Sequence, residues 1–217
     1  MDWALFSIFV TVAIAHFLAL LSPGPDFVLV VKSAINNGPR KSIGVAAGIA
    51  SANALYIMLC LIGVGSLLAS SVMIMIILKI AGGLFLIYLA VMALIAKKSD
   101  YQDLDFSGEQ AKVKAETTFV KEFITGFMSG ILNPKNLLFY LSLFTVVLTK
   151  DVDLSFKIGL GIWMTSVVFL WDLSVIYVLS RDKVRRKFSK LAYYIDKCTG
   201  VILGLIGLTI VKSALSK

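Results

Sequence analysis

Histidine occurs once and cysteine only twice in this 217-residue sequence. Cys60 and Cys198 stand far apart, so there is no C-x-x-C pair and no disulfide framework, which excludes a dithiol redox protein. With His16 alone, the H-E-x-x-H of a zinc protease cannot be written, and so few soft ligands argue against soft-metal ligation. Charge is scarce as well: 16% of residues carry it, against 59% hydrophobic and a mean hydropathy of +0.91. A basic n-region and a small-residue cleavage site are both missing after Met1-Asp2-Trp3, so the first hydrophobic run is expected to be retained as a span rather than removed as a signal peptide.

What is present is apolar sequence in long runs, more than a soluble core needs. Hydrocarbon offers backbone groups no hydrogen-bond partners, and the runs lack the alternation of barrel strands, so the expectation is an all-α membrane protein. Six spans are expected, roughly at residues 4–35, 43–66, 74–96, 120–148, 156–180 and 196–215. The polar stretch "KKSDYQDLDFSGEQAKVKAETT" reads as a solvated linker. The whole chain, 1–217, is expected to form one transmembrane domain. Repeat one covers about residues 1–97, a cytoplasmic linker about 98–118, and repeat two about 119–217.

Basic residues give an orientation. The connections after spans one, three and five hold fourteen Lys and Arg, and the opposite side four. The positive-inside rule therefore puts the first set in the cytoplasm and both termini outside. "RDKVRRKFSK", directly after a span, is expected to meet anionic lipid, not nucleic acid.

The halves repeat each other. "LLSPGP", "KSIGVAAG" and "KIAGG" in the first correspond in order to "ILNPKN", "FKIGLG" and "KCTGV" in the second. Pro23 thus matches Pro134, Gly44 matches Gly159, and Lys79 and Gly82 match Lys197 and Gly200. Three spans per unit force the second unit to enter from the other side, giving an inverted repeat. Helices 1 and 4 are expected to break at Ser22-Pro23 and Asn133-Pro134, each a capping residue followed by proline at the start of a new half-helix. Both breaks fall roughly 20 Å from the cytoplasmic ends of their helices, near mid-membrane. A half-helix start presents free N–H groups and partial positive charge, which suits a carboxylate.

Ionisable groups at this depth cost at least about 2.5 kcal/mol unless they face a polar cavity. Asp26 and Lys135, just past the breaks, are therefore candidates for the ammonium and carboxylate ends of a zwitterion, or for a proton. Asp172 is a second proton-coupling candidate, set against a structural ion pair with Lys135. Asn53 is weighed between substrate contact and an interhelical hydrogen bond. Lys79 and Lys197 are expected to begin helices and snorkel to the interface, and His16 to be packed. Gly44-xxx-Gly48, Gly126-xxx-Gly130 and Gly200-xxx-Gly204 permit close helix contact, within the bundle or between protomers.

"SPGPDFVLVVKSAINNGPRKSIGVAAGIASANALY", "LKIAGGLFLIYLAVMAL" and "FITGFMSGILNPKNLLFYLSLF" together resemble the lysine exporter (LysE/RhtB) family of amino-acid efflux proteins, over nearly the whole chain. The resemblance implies a six-helix exporter of amino acids in the bacterial inner membrane, driven by proton antiport, with homodimer formation left open. It carries functional interest onto Pro23, Gly24, Pro25, Asp26, Asn133, Pro134 and Lys135. Where the family often has an acid in helix 2, this chain has Asn53, which moves the coupling role toward Asp26 or Asp172. No enzyme activity and no cofactor are expected. Small neutral, hydroxylated and basic amino acids all fit the charge logic. The competing readings are efflux of a cation such as a heavy metal, and a non-transporting membrane scaffold.

Overall fold

The computed structural model describes residues 3–64, 72–98, 117–147, 152–179 and 181–215. These contain helices α1 (Trp3–Leu21), α2 (Pro25–Asn37), α3 (Pro39–Leu59), α4 (Val72–Ile95), α5 (Phe119–Leu132), α6 (Pro134–Val147), α7 (Leu154–Leu179) and α8 (Asp182–Leu215), with α3 running into a π-helical turn at Cys60–Val64. No strand occurs among the described residues. The expected linker lies outside them apart from its two ends.

Five helices carry stretches long and apolar enough to cross a membrane, at Trp3–Leu21, Pro39–Ile62, Ile76–Ile95, Leu154–Leu179 and Leu191–Leu215. The run expected to form the fourth span is two helices, α5 and α6, of 14 residues each, joined at Asn133. At 1.5 Å per residue either piece is about 21 Å long, short of the ~30 Å hydrocarbon core. Likewise α1 and α2 are separated by Ser22, Pro23 and Gly24. The outer faces are apolar, with Trp3, Ile62, Ile95, Leu132 and Leu205 exposed. In hydrocarbon those faces need no cover.

Inside the bundle, α3 lies along α5, α4 along α8, and α3 against α7. The first of these is a glycine contact: a Cβ on Gly48 would stand 2.1 Å from Phe123 O, and one on Gly126 would stand 2.2 Å from Val45 O. The two Gly-xxx-Gly pairs of α3 and α5 are therefore spent within the bundle, on each other's helix. Gly200 of α8 meets Ala90 and Ala93 of α4 in the same manner, with Ala90 O 3.0 Å from its would-be Cβ. Two apolar clusters result. One gathers Val12, Tyr56, Phe139, Tyr140, Phe144 and Met164, and the other Phe27, Val31, Val45, Ile49, Val168 and Ile176.

Two expectations need correction. The new half-helix in "SPGPD" begins at Pro25, with Gly24 as its cap at φ −132° and ψ −175°, not at Pro23 with Ser22 as cap. Starting at Pro23 would force Gly24 into helical geometry immediately before a proline, where the ring disfavours it. Extended Gly24 avoids the clash. The second correction concerns α8, which starts at Asp182 rather than near residue 196 and runs for 34 residues. Lys197 consequently lies inside a helix, where its Nζ donates to the terminal carbonyls of α4: Ala93 O at 3.0 Å, Leu94 O at 2.6 Å and Ala96 O at 2.6 Å. It caps a helix end instead of snorkelling. Lys79 also lies inside a helix, α4, rather than at its beginning.

Candidate functional site

Each break exposes the end of one half-helix and the start of the next, and the loose ends are tied across the molecule. At the second break Asn133 caps α6, its Oδ1 accepting from Lys135 N at 3.0 Å. This leaves Asn133 Nδ2 free to donate to Asp26 Oδ2 of the first break at 3.0 Å. Asp26, in the first turn of α2, also accepts from Asn136 Nδ2 at 2.7 Å and from Ser129 Oγ at 2.6 Å. Three donors thus hold both of its oxygens. In return, Lys135 Nζ donates to the final carbonyls around α1, Ala19 O at 3.3 Å and Ser22 O at 3.1 Å. The charged side chain just past each break thus engages the other break. Ser22 does not cap; its Oγ donates to Asp196 Oδ1 of α8 at 2.7 Å.

The breaks form a wall between two spaces. On one side a cavity of about 60 Å³ is bordered by Ser22, Gly24, Asp26, Asn133 and Lys135, and completed by Asn53 from α3 and Asp172 from α7. Its apolar lining comes from both clusters, with Phe27, Ile49 and Val168 from one and Phe139 and Tyr140 from the other. Beyond the wall, Pro23, Pro25 and Pro134 border a larger cleft of about 750 Å³ toward α4 and α8, where Asp196 also lies. Ser22, Gly24, Asn133 and Lys135 touch both spaces. Six of the nine residues singled out at the breaks and in helix 2, Ser22, Gly24, Asp26, Asn53, Asn133 and Lys135, therefore border the cavity together with Asp172, while Pro23, Pro25 and Pro134 border only the cleft.

Within the cavity the polar groups fall into two sets. Asp26, Asn133 and Lys135 are engaged as described. Asp172 Oδ2, Asn53 Oδ1 and His16 Nδ1 are buried with no hydrogen-bond partner among the described residues. Their residues are 6%, 4% and 1% exposed, so all three lie inside the bundle. A buried polar atom without a partner is costly, which makes each of the three a place where a ligand group would be welcome. His16 is packed, as expected, with its ring 6.1 Å from that of Phe139 and 6.0 Å from that of Trp163. Its Nε2 lies 3.4 Å from Tyr140 Oη. The Asp172–Lys135 ion pair that was the alternative for Asp172 is not seen, since Asp172 Oδ2 has no partner among the described residues. Among the described residues no group of three or more His, Cys, Asp and Glu is placed to hold a metal.

Sequence reasoning missed Ser129, Asn136 and Asp196 at the site. Asn136 was visible three residues after Asn133 and Ser129 one helical turn before it, so both face the same way as the cap. Asp196 was hidden by the misplaced start of α8. A further buried acid, Glu122, sits at the start of α5, away from the cavity. It accepts from Ser33 Oγ, from Thr117 Oγ1 at 2.8 Å and from Asn37 Nδ2 at 3.1 Å.

A family model described as LysE type translocator matches residues 17–214. Among similar proteins, the uncharacterised membrane protein YrhP of Bacillus subtilis is 29% identical over 190 residues, which cover 86% of this chain and 90% of that one. The threonine efflux protein of Escherichia coli K12 is 23% identical over 212 residues, covering 95% of this chain and 98% of its own. The leucine efflux protein of Klebsiella pneumoniae is 24% identical over 193 residues, with 84% and 86% covered. No solved structure matches.

Proposed function

The chain belongs to the LysE type translocator family, and from that premise we propose that it exports amino acids across the bacterial inner membrane. A translocator family, rather than an enzyme family, accords with that reading. The relatives named for threonine and leucine efflux support the substrate class. The observation that carries the reading is the cavity itself. Lys135 and Asp26 border it from the breaks, Asp172 and Asn53 from α7 and α3, and the space is small. A zwitterion needs groups of both signs within reach, and the small volume favours small neutral or hydroxylated amino acids over basic ones.

In this reading the chain forms six spans as two inverted three-helix repeats, with both termini outside and the connections rich in Lys and Arg in the cytoplasm. Export is secondary active, by proton antiport with alternating access. The substrate-binding set is Ser22, Pro23, Gly24, Pro25, Asp26, Asn53, Asn133, Pro134 and Lys135, and a proton taken up by Asp26 or Asp172 releases the substrate outside. The test is export of a panel of labelled amino acids from dipeptide-loaded cells that lack their own exporters. Faster release of at least one amino acid than in vector controls is expected. No gain for any of them sinks the proposal.

A further inference from the structure

Three buried acceptors face one cavity with nothing to accept from, and that number has a chemical meaning. A primary ammonium group carries three N–H donors. Asp172 Oδ2, Asn53 Oδ1 and His16 Nδ1 come from α7, α3 and α1, so they approach the cavity from three directions. When His16 carries its proton on Nε2, directed to Tyr140 Oη, Nδ1 presents a lone pair. We infer that these three side chains form the ammonium subsite of the exporter, and that Asp26 does not contact the substrate's ammonium group.

The second half of the inference follows from how far Asp26 is already engaged. Asp26 accepts from Ser129 of α5, from Asn133 between α5 and α6, and from Asn136 of α6. Three of its roughly four acceptor sites thus clamp the first break to the second, and an incoming ammonium would have to share Oδ1 with Ser129. Asp172 Oδ2 has no donor to share among the described residues. Lys135 Nζ spends two bonds on Ala19 O and Ser22 O, and its third proton remains for the substrate carboxylate. The bound amino acid therefore spans from the break to α7, and its side chain meets Phe139, Tyr140 and Trp171. A ligand with fewer N–H donors leaves an acceptor unfilled, so the site selects primary ammonium groups over methylated ones.

This inference rests on the exporter reading, and one experiment separates the two. The full chain is reconstituted in liposomes, and efflux of labelled L-threonine, L-serine and L-leucine is measured against unlabelled competitors. Asp172→Asn is expected to raise the half-saturating concentration about tenfold to a hundredfold, the weight of a hydrogen bond to a charged group, with a smaller rise for Asn53→Leu. In the wild type, competition should weaken stepwise from primary to N-methyl to N,N,N-trimethyl analogues. Thermal melting in detergent checks that each variant folds; if Asp172→Asn does not, the analogue series in the wild type decides alone. Unchanged half-saturation in a folded Asp172→Asn, or equal competition by the trimethyl analogue, overturns the subsite while leaving the exporter standing. Wild-type liposomes that move none of the three amino acids overturn both.

Discussion

Gly44 and Gly159 hold matching places in the two halves of the sequence, yet their surroundings are opposite. A methyl group on Gly44 would meet Phe119 O at 2.5 Å, whereas one on Gly159 would meet nothing within 4 Å. The same contrast extends along the helices that bear them. α3 meets α5 through glycine and bare backbone, at Gly48 and Gly126. α7 meets α1 through rings, with Phe9 and Trp163 centroids 5.1 Å apart and Phe17 and Trp171 5.7 Å apart. A backbone contact admits one geometry because neither side can step aside, while ring contacts can be remade in other rotamers. The two matching positions of the sequence therefore differ in packing. One face is locked and the other adjustable.

The largest effect should come from filling the locked face. Gly48→Leu is expected to abolish both the monodisperse peak in size-exclusion chromatography and amino-acid export, because overpacking against backbone has no rotamer that relieves it. Gly159→Leu should leave both within about twofold of wild type, since an exposed position gives the side chain room. Equal damage at the two positions would break the comparison.

A smaller effect is expected at Glu122, which closes the locked side by joining Ser33 and Asn37 of α2 with α5. Ser42 Oγ of α3 lies 2.8 Å from Ser33 Oγ and completes the cluster. Glu122→Ala strands several buried donors and should lower stability by about 2–3 kcal/mol, with Glu122→Gln nearer wild type. Thermal melting measures both. An unchanged melting point would show that the glycine contact alone locks the face.

Smaller again is the effect that distinguishes the two capping lysines. Lys197 and Lys135 each satisfy carbonyls at a helix end, but only Lys135 borders the cavity. Lys197→Met should cost about 1–2 kcal/mol of stability through the lost capping bonds while leaving the half-saturating substrate concentration unchanged. Lys135→Met should raise that concentration. If both substitutions changed stability alone, the difference between the lysines would vanish.

Much of the site was readable because its residues violate the rules of a hydrophobic run. Proline, asparagine and charge at mid-span cannot be there for propensity, so "SPGPD" and "LNPKN" stood out and their pairing followed from the repeat. The errors arose where local chemistry offers near-equal choices. Ser22 is a better capping residue than Gly24, but the second proline decides against it. The polar stretch before Leu191 looked like connection, and the first residues of α8 continue as helix because nothing in "RDKVRRKFSK" breaks one. That misplacement turned Lys197 into an apparent interface residue and hid Asp196. Glu122 was passed over for a similar reason, lying two residues after the expected start of its span. Which polar atoms remain without partners, finally, depends on three-dimensional contacts among α1, α3 and α7, and no pattern along the chain reports it.

The central claim is that the paired breaks frame a route for amino acids. Its most direct test is efflux of labelled L-threonine, L-serine and L-leucine from liposomes containing only this protein, with and without an imposed pH gradient. The account predicts efflux above protein-free liposomes for at least one of them, faster with the gradient and strongly reduced in Lys135→Met. Efflux at the protein-free rate for all three, or full gradient-driven efflux in Lys135→Met, would contradict it.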